Sequence, residues 1–403
     1  MTQQALFGLK VLDLTHYIAG PYCTKMMADL GADVIKVEKP GEGDPTRRMG
    51  PFPNDEPHSE KSLRFLHLNT NKKGITLNLG SLTGQKLVRE LVKDMDILVE
   101  SFRPGVMARW GLDYETLEKI NPKLVMGSIS NFGQYGPYRD FKLSDALLYA
   151  MGGDMYMTGI PEREPVKIGV DIALYQAGSS AAPAILAAWL GVKRLDAPGQ
   201  QVDISLQETM ESGIDRRKTD LIAYQYCGHQ AIRIPMVAAG FPAGVYPSKD
   251  GYFDIAGGLA WWNRVVAMMG DPALGEPPWD NPAAQMDAKL KEEFETKWFY
   301  PWVLSRTKYE AWQEAQKYAV MSAPLNTTED LLRDTHLRER NFWVSMEHPV
   351  AGQLTYCGGP FRMAETPHQW APAPLLGQHN KEVYGKLGYT KFDLVLLRQQ
   401  GVI

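Results

Sequence analysis

At 403 residues, with 44% apolar and 22% charged side chains and a net charge of −4, the chain has the composition of an ordinary folded protein, which excludes disordered, collagenous and coiled-coil classes. The length exceeds one comfortable core, so two domains, or a large domain with a smaller insertion, are expected. Bases alternate with acids and form no stripe, which argues against nucleic acid and leaves small molecules as the expected ligands. The three cysteines, Cys23, Cys227 and Cys357, lie far apart without CxxC spacing, so neither disulfides nor a zinc site is suggested, and a reducing cytoplasm fits. The start of the chain lacks the regions of a signal peptide, and no apolar run reaches bilayer length. Neither membrane nor metal is expected.

Leu9-Lys-Val-Leu-Asp-Leu-Thr reads as a buried strand, Gly20 to Leu30 as a helix ending at Gly31, and Ala32-Asp-Val-Ile-Lys-Val-Glu as a second strand. A βαβ unit of this length implies parallel strands and a right-handed crossover, hence an α/β fold. The pattern recurs: Gly74 to Leu79 is a strand, Thr83 to Asp94 a helix, Ile97 to Glu100 a strand, and Leu124 to Ser130 another. Residues 141–200 are helical and rich in Gly and Ala, and Gly199 onward returns to a strand. From Glu211 to Met321 aromatics become dense, with Trp261, Trp262, Trp279, Trp298, Trp302 and Trp312 among short amphipathic helices. This stretch is expected to be a smaller inserted domain.

No Walker loop, GxSxG elbow or HExxH helix occurs, and Gly41-Glu-Gly-Asp lacks the third glycine of a dinucleotide fingerprint. Three Gly- and Pro-containing loops, at Thr15 to Pro21, Glu38 to Pro45 and Glu100 to Met107, fall where strands should end. Such residues turn the chain. Gathered at one sheet edge, however, the loops would offer Lys39, Arg103 and Arg109 to phosphates and Phe102 to an adenine face.

Seven phrases in order, Leu9-Lys-Val-Leu-Asp-Leu, Ala19-Gly-Pro, Leu30-Gly-Ala-Asp-Val-Ile-Lys-Val-Glu, Asn71-Lys-Lys-Gly-Ile-Thr-Leu, Val99-Glu-Ser-Phe-Arg-Pro-Gly, Gly136-Pro-Tyr and Pro374-Leu-Leu-Gly-Gln-His, together resemble the family III CoA-transferases of the CaiB/BaiF type over nearly the whole chain. The resemblance implies a large Rossmann-like domain from residues 1–210 and 329–403, a small α+β domain at 211–328, and an interlaced dimer. It implies no permanently bound cofactor, a CoA thioester as substrate, and CoA contacts at Tyr17, Ile18, Lys39, Leu77, Ser101, Phe102, Val106, Arg109, Ser130 and Lys142.

Family members attack the thioester with an aspartate set in a pattern like Gly-Val-x-x-x-Asp-x-x-x-Gly, a covalent mechanism. Gly169 to Gly178 fits that frame without a gap, and Leu174 occupies the nucleophile position. The glycine-rich loop that covers the intermediates in relatives corresponds to Val237 to Gly244, with fewer glycines and Phe241. The implied reading is a subunit that lacks the nucleophile and works beside a homologous catalytic subunit. Among heteromeric members, one that moves CoA from succinyl-CoA to benzylsuccinate in anaerobic toluene degradation divides its labour this way, and the aromatic middle stretch suits a bulky aryl acid. Three alternatives stay open: a homodimeric transferase using Asp171, an acyl-CoA racemase or isomerase built on a His and an acid, and a CoA-binding protein without chemistry. His16 and His379 read as structural or loop hydrogen-bonders, and the sequence around Leu174 offers no histidine.

Overall fold

The computed structural model describes residues 3–212, 216–230, 232–233 and 240–403. Six short, apolar segments form one parallel sheet: β1 (Lys10–Leu14), β2 (Asp33–Glu38), β3 (Lys73–Thr76), β4 (Ile97–Glu100), β5 (Val125–Ser130) and β6 (Gln200–Ser205), in the order β3-β2-β1-β4-β5-β6. The fold is α/β, as the βαβ pattern requires.

Successive side chains of a strand point to opposite faces. Accordingly Val11, Val34, Ile97, Val99 and Val125 enter one core and Leu12, Leu14, Ile35, Val37, Ile75, Leu98 and Met126 the other. The crossovers are α1 (Ala19–Asp29), α2 (Leu63–Leu68), α3 (Leu82–Val92), and the short α4 (Val106–Arg109) and α5 (Tyr114–Leu117). After β5 come α6 (Asp145–Met151), α7 (Asp154–Met157) and the 24-residue α8 (Ile172–Leu195). Residues 141–200 are thus helical only in part.

α8 buries Ala173, Ala177, Gly178, Ala181 and Ala182, a small-residue face at helical spacing that lets α1 pack closely. Gly178 sets the limit, since a Cβ there would stand 2.5 Å from the Ala19 carbonyl oxygen.

By its internal contacts the chain forms two compact units, Met1–Thr158 with Pro165–Ala231 and Asn341–Ile403, and Gly159–Glu164 with Ile232–Arg340. Against the expected domains, 1–210 with 329–403 and 211–328, residues 211–231 group with the first unit, and 159–164 and 329–340 with the second. The helix Leu206–Glu211 packs on α8, which carries the chain on within the first unit. A hairpin of β10 (Trp343–His348) and β11 (Gly352–Cys357) also lies in the first unit.

The second unit holds a three-stranded antiparallel sheet, β7 (Ala243–Ser248), β8 (Gly251–Ala256) and β9 (Met321–Pro324), with short helices. Its core is aromatic: Phe241, Phe253, Trp262, Trp279, Phe294, Phe299 and Trp302 are all buried. No described helix is long and apolar enough to cross a membrane.

Candidate active site

The strand order reverses between β1 and β4, and in open parallel sheets ligands bind beyond the carboxyl ends of the strands at such a point. The loops after β1 and β4 meet there. His16 donates its backbone N–H to Ser101 Oγ at 2.9 Å, and the Phe102 ring is wedged edge-on between His16 and Trp110, at 5.3 and 5.1 Å between centroids. Tyr17 is held at φ +64°, a left-handed conformation rare for a bulky residue, and its side chain stays 53% exposed. The loop closes tightly because Gly20 has no Cβ, which would stand 2.3 Å from that of Thr15.

Beneath these loops lies a buried ionic layer that the sequence reading did not identify. Asp13 accepts hydrogen bonds from Thr15 N–H (2.9 Å), Thr24 Oγ1 (2.6 Å) and Lys72 Nζ (3.1 Å). Lys36 pairs with Asp44 at 3.0 Å and donates to the Thr15 carbonyl at 2.8 Å. Glu38 takes two hydrogen bonds from Arg47, at 2.6 and 2.8 Å, and Arg47 continues to Glu60 and the Pro374 carbonyl.

Burial alone would raise the Asp13 carboxyl, but Lys72, Lys36 and the two threonine hydroxyls outweigh it and hold it well below the usual carboxylate range. Burial lowers Lys72 to about 8, against the attraction of Asp13. Charges buried at this density need partners. Here they fix the loop backbone from below, and the signal in the sequence was Asp, Lys and Glu inside otherwise apolar strands.

All ten expected CoA contacts lie in the first unit, at or beyond the carboxyl ends of β1 to β5. Tyr17, Ser101 and Phe102 come together at the switch point. Lys39, paired with Glu42, and Arg109 and Lys142 are exposed, and Val106 opens α4. Ser130 closes β5, and its hydroxyl is buried without a hydrogen-bond partner. Ile18 and Leu77 are buried. One cation was missed: a Cβ on Gly105 would lie 3.3 Å from Arg139 Nη2, which places this guanidinium at the start of α4.

Leu174 stands in the first turn of α8, partly buried against the core. Asp171 precedes the helix as its N-cap residue but makes no side-chain cap, and its carboxylate is ion-paired with Arg64 on α2. Tyr175 packs edge-on to Tyr22 at 4.9 Å and near His67 at 6.2 Å. His67, distant in sequence, is thus beside Tyr175 and not shown against Leu174. Burial lowers His67 to about 4, so it is neutral at physiological pH.

His16 is likewise pushed down by burial. His379 accepts the Gly74 N–H at Nδ1, 3.0 Å, in keeping with a structural role. Of the loop equated with a glycine-rich cover, Val237 to Ala239 lie outside the described residues; Phe241 is fully buried in the aromatic core.

Five of the six tryptophans of the aromatic stretch belong to the core of the second unit or pack on it. Trp262, Trp279 and Trp302 are core residues, and Trp298 and Trp312 pack against that core. Trp261 is covered by Arg264, 4.3 Å above its ring. Among the described residues no group of three or more His, Cys, Asp or Glu could hold a metal ion.

The family model described as CoA-transferase family III matches residues 6–380. The succinyl-CoA–D-citramalate CoA-transferase of Chloroflexus aurantiacus is 35% identical, over 99% of this chain and 98% of that one. The succinate–glutarate CoA-transferase of Agrobacterium fabrum is 32% identical over 95% of each chain. A CAIB/BAIF family protein from Brucella suis superposes with a TM-score of 0.85 at 30% identity, covering 96% of this chain and 100% of that one.

Proposed function

This chain belongs to CoA-transferase family III, and on that premise we propose that it is the non-nucleophilic subunit of a heteromeric enzyme moving CoA from an acyl-CoA to a free carboxylic acid. The observation that carries the proposal is the side chain at position 174. A leucine supplies no lone pair for attack on a thioester, and the neighbouring carboxylate, Asp171, is engaged by Arg64 outside the helix.

Coenzyme binding is supported by the loops that converge at the switch point, by the exposed Lys39, Arg109 and Lys142, and by the unpartnered Ser130 hydroxyl at the same edge. In the interlaced dimer that the family implies, the catalytic aspartate would come from the homologous subunit. Succinyl-CoA is the proposed donor, supported by the two relatives whose names contain succinyl-CoA or succinate.

The proposed acceptor is a dicarboxylic acid, as citramalate and glutarate are, with benzylsuccinate the specific candidate. That candidate now rests on the division of labour between subunits, since the tryptophans serve the core. A racemase is disfavoured: burial makes His67 a weak base, and the Asp171 carboxylate is held by Arg64.

The purified chain should bind CoA by calorimetry yet show no acyl or CoA adduct in its intact mass after incubation with succinyl-CoA. Rapid CoA exchange between two acids by the chain alone would overturn the reading, whereas failure to bind CoA would remove the coenzyme site.

A further inference from the structure

Glu100 ends β4 directly before the loop that carries Ser101 and Phe102, and it is 3% exposed. Its Oε2 accepts the Phe102 N–H at 2.8 Å. Its carboxyl also hydrogen-bonds the Ser128 side chain of β5, whose Oγ accepts Gln201 Nε2 of β6 at 2.9 Å. Side chains of three adjacent strands thus run in series to one peptide N–H of the loop, while the neighbouring Ser101 is fastened to His16 across the switch point. The Phe102 ring has His16 and Trp110 on its sides.

We propose that Glu100 is a positioning residue for coenzyme A: it orients the Phe102 peptide and ring toward the nucleotide, and it takes up a proton as the polyanionic coenzyme binds. The inference rests on the coenzyme site proposed above.

The proton linkage follows from what surrounds the carboxyl. Burial raises Glu100 to about 7, the hydrogen bonds from Phe102 N–H and Ser128 oppose that rise, and Asp203 on β6 adds to it. The titratable group that the β1 loop packs against the Phe102 ring is His16, whose pKa burial lowers. No cation contributes to the balance at Glu100. A phosphate-bearing ligand at this edge adds negative potential and favours the neutral acid. The neutral acid still accepts the Phe102 N–H through one oxygen and donates to Ser128 through the other, so protonation preserves the loop.

Glu100→Gln reproduces the neutral acid, with an acceptor for Phe102 and a donor for Ser128, whereas Glu100→Ala removes both. CoA binding to the full chain should be measured calorimetrically near pH 7 in two buffers of different ionisation enthalpy. Wild type should take up a fraction of a proton more than Glu100→Gln, and Glu100→Gln should bind at least as tightly at pH 8. Glu100→Ala should weaken binding about tenfold, the scale of one lost hydrogen bond.

Equal proton uptake in wild type and Glu100→Gln, or wild-type affinity in a folded Glu100→Ala, would overturn the inference and leave the coenzyme reading standing. Absence of CoA binding in the folded wild-type chain would remove both.

Discussion

The guanidinium of Arg64 on α2 is ion-paired with the carboxylate of Asp171, the residue that opens α8 one turn before Leu174. The pair decides the standing of Asp171. A nucleophile must present an unencumbered carboxylate oxygen to the thioester carbonyl, and displacement of about 1 Å from the productive position already costs roughly 10² in rate.

Asp171→Asn should therefore leave acyl transfer by the assembled enzyme within a few-fold of wild type. The pair is about 30% exposed on each side, so its loss should cost no more than ~1 kcal/mol. Steady-state rates and urea melts of the variant check both figures; loss of turnover by several orders of magnitude would restore Asp171 as the nucleophile.

Asp13 and Glu100 give stability opposite dependences on pH. The Asp13 carboxyl is depressed in the fold by Lys72, Lys36 and its hydrogen bonds, despite burial. Its contribution is present above the unfolded value of about 4 and is lost as pH falls below it. Glu100 is raised from 4.5 to about 7, so its contribution is full below 4.5 and declines as pH rises through 7, by on the order of 3 kcal/mol in total. Glu100→Gln should flatten the alkaline side of a stability–pH curve, and a curve unchanged between pH 5 and 8 would contradict the burial argument. Asp13→Asn leaves Lys72 without its buried carboxylate partner, and should cost ~3–5 kcal/mol in a denaturant melt at pH 7.

Gly178 tests the seat of α8. A methyl there meets the Ala19 carbonyl and the Tyr22 side chain, and backbone cannot swing aside as a flexible side chain can. Gly178→Ala should destabilise the chain by about 1–3 kcal/mol, read as a lowered thermal midpoint; an unchanged midpoint would mean that α1 and α8 are less tightly apposed than described.

Much of this was legible in the sequence, for identifiable reasons. Strands such as Val11 to Leu14 announce themselves by apolar runs bounded by turn residues, and Gly31, at φ +99°, marked the end of α1. The loops after β1 and β4 could be placed at one edge because parallel topology leaves no other arrangement.

Contacts distant in sequence were not legible. Nothing local in Ser62-Leu63-Arg64 indicates Asp171, 107 residues on, nor does Gln201 point to Ser128. The tryptophans misled because aromatic density looks alike whether it lines a ligand site or fills a small unit's core, and burial alone separates the two. The hairpin Trp343–Cys357 was missed although its strands alternate polar and apolar residues, because its connection, Pro349-Val-Ala, is not one of the two-residue Asn-Gly or Asp-Gly turns that mark a hairpin.

The account turns on where the covalent step occurs. The native complex, isolated from its source and incubated with succinyl-CoA, should be resolved into chains and weighed by intact-mass spectrometry. The account predicts an acyl or CoA adduct on a homologous partner chain and an unmodified mass for this one. An adduct on this chain, or a homodimer that turns over succinyl-CoA, would contradict it.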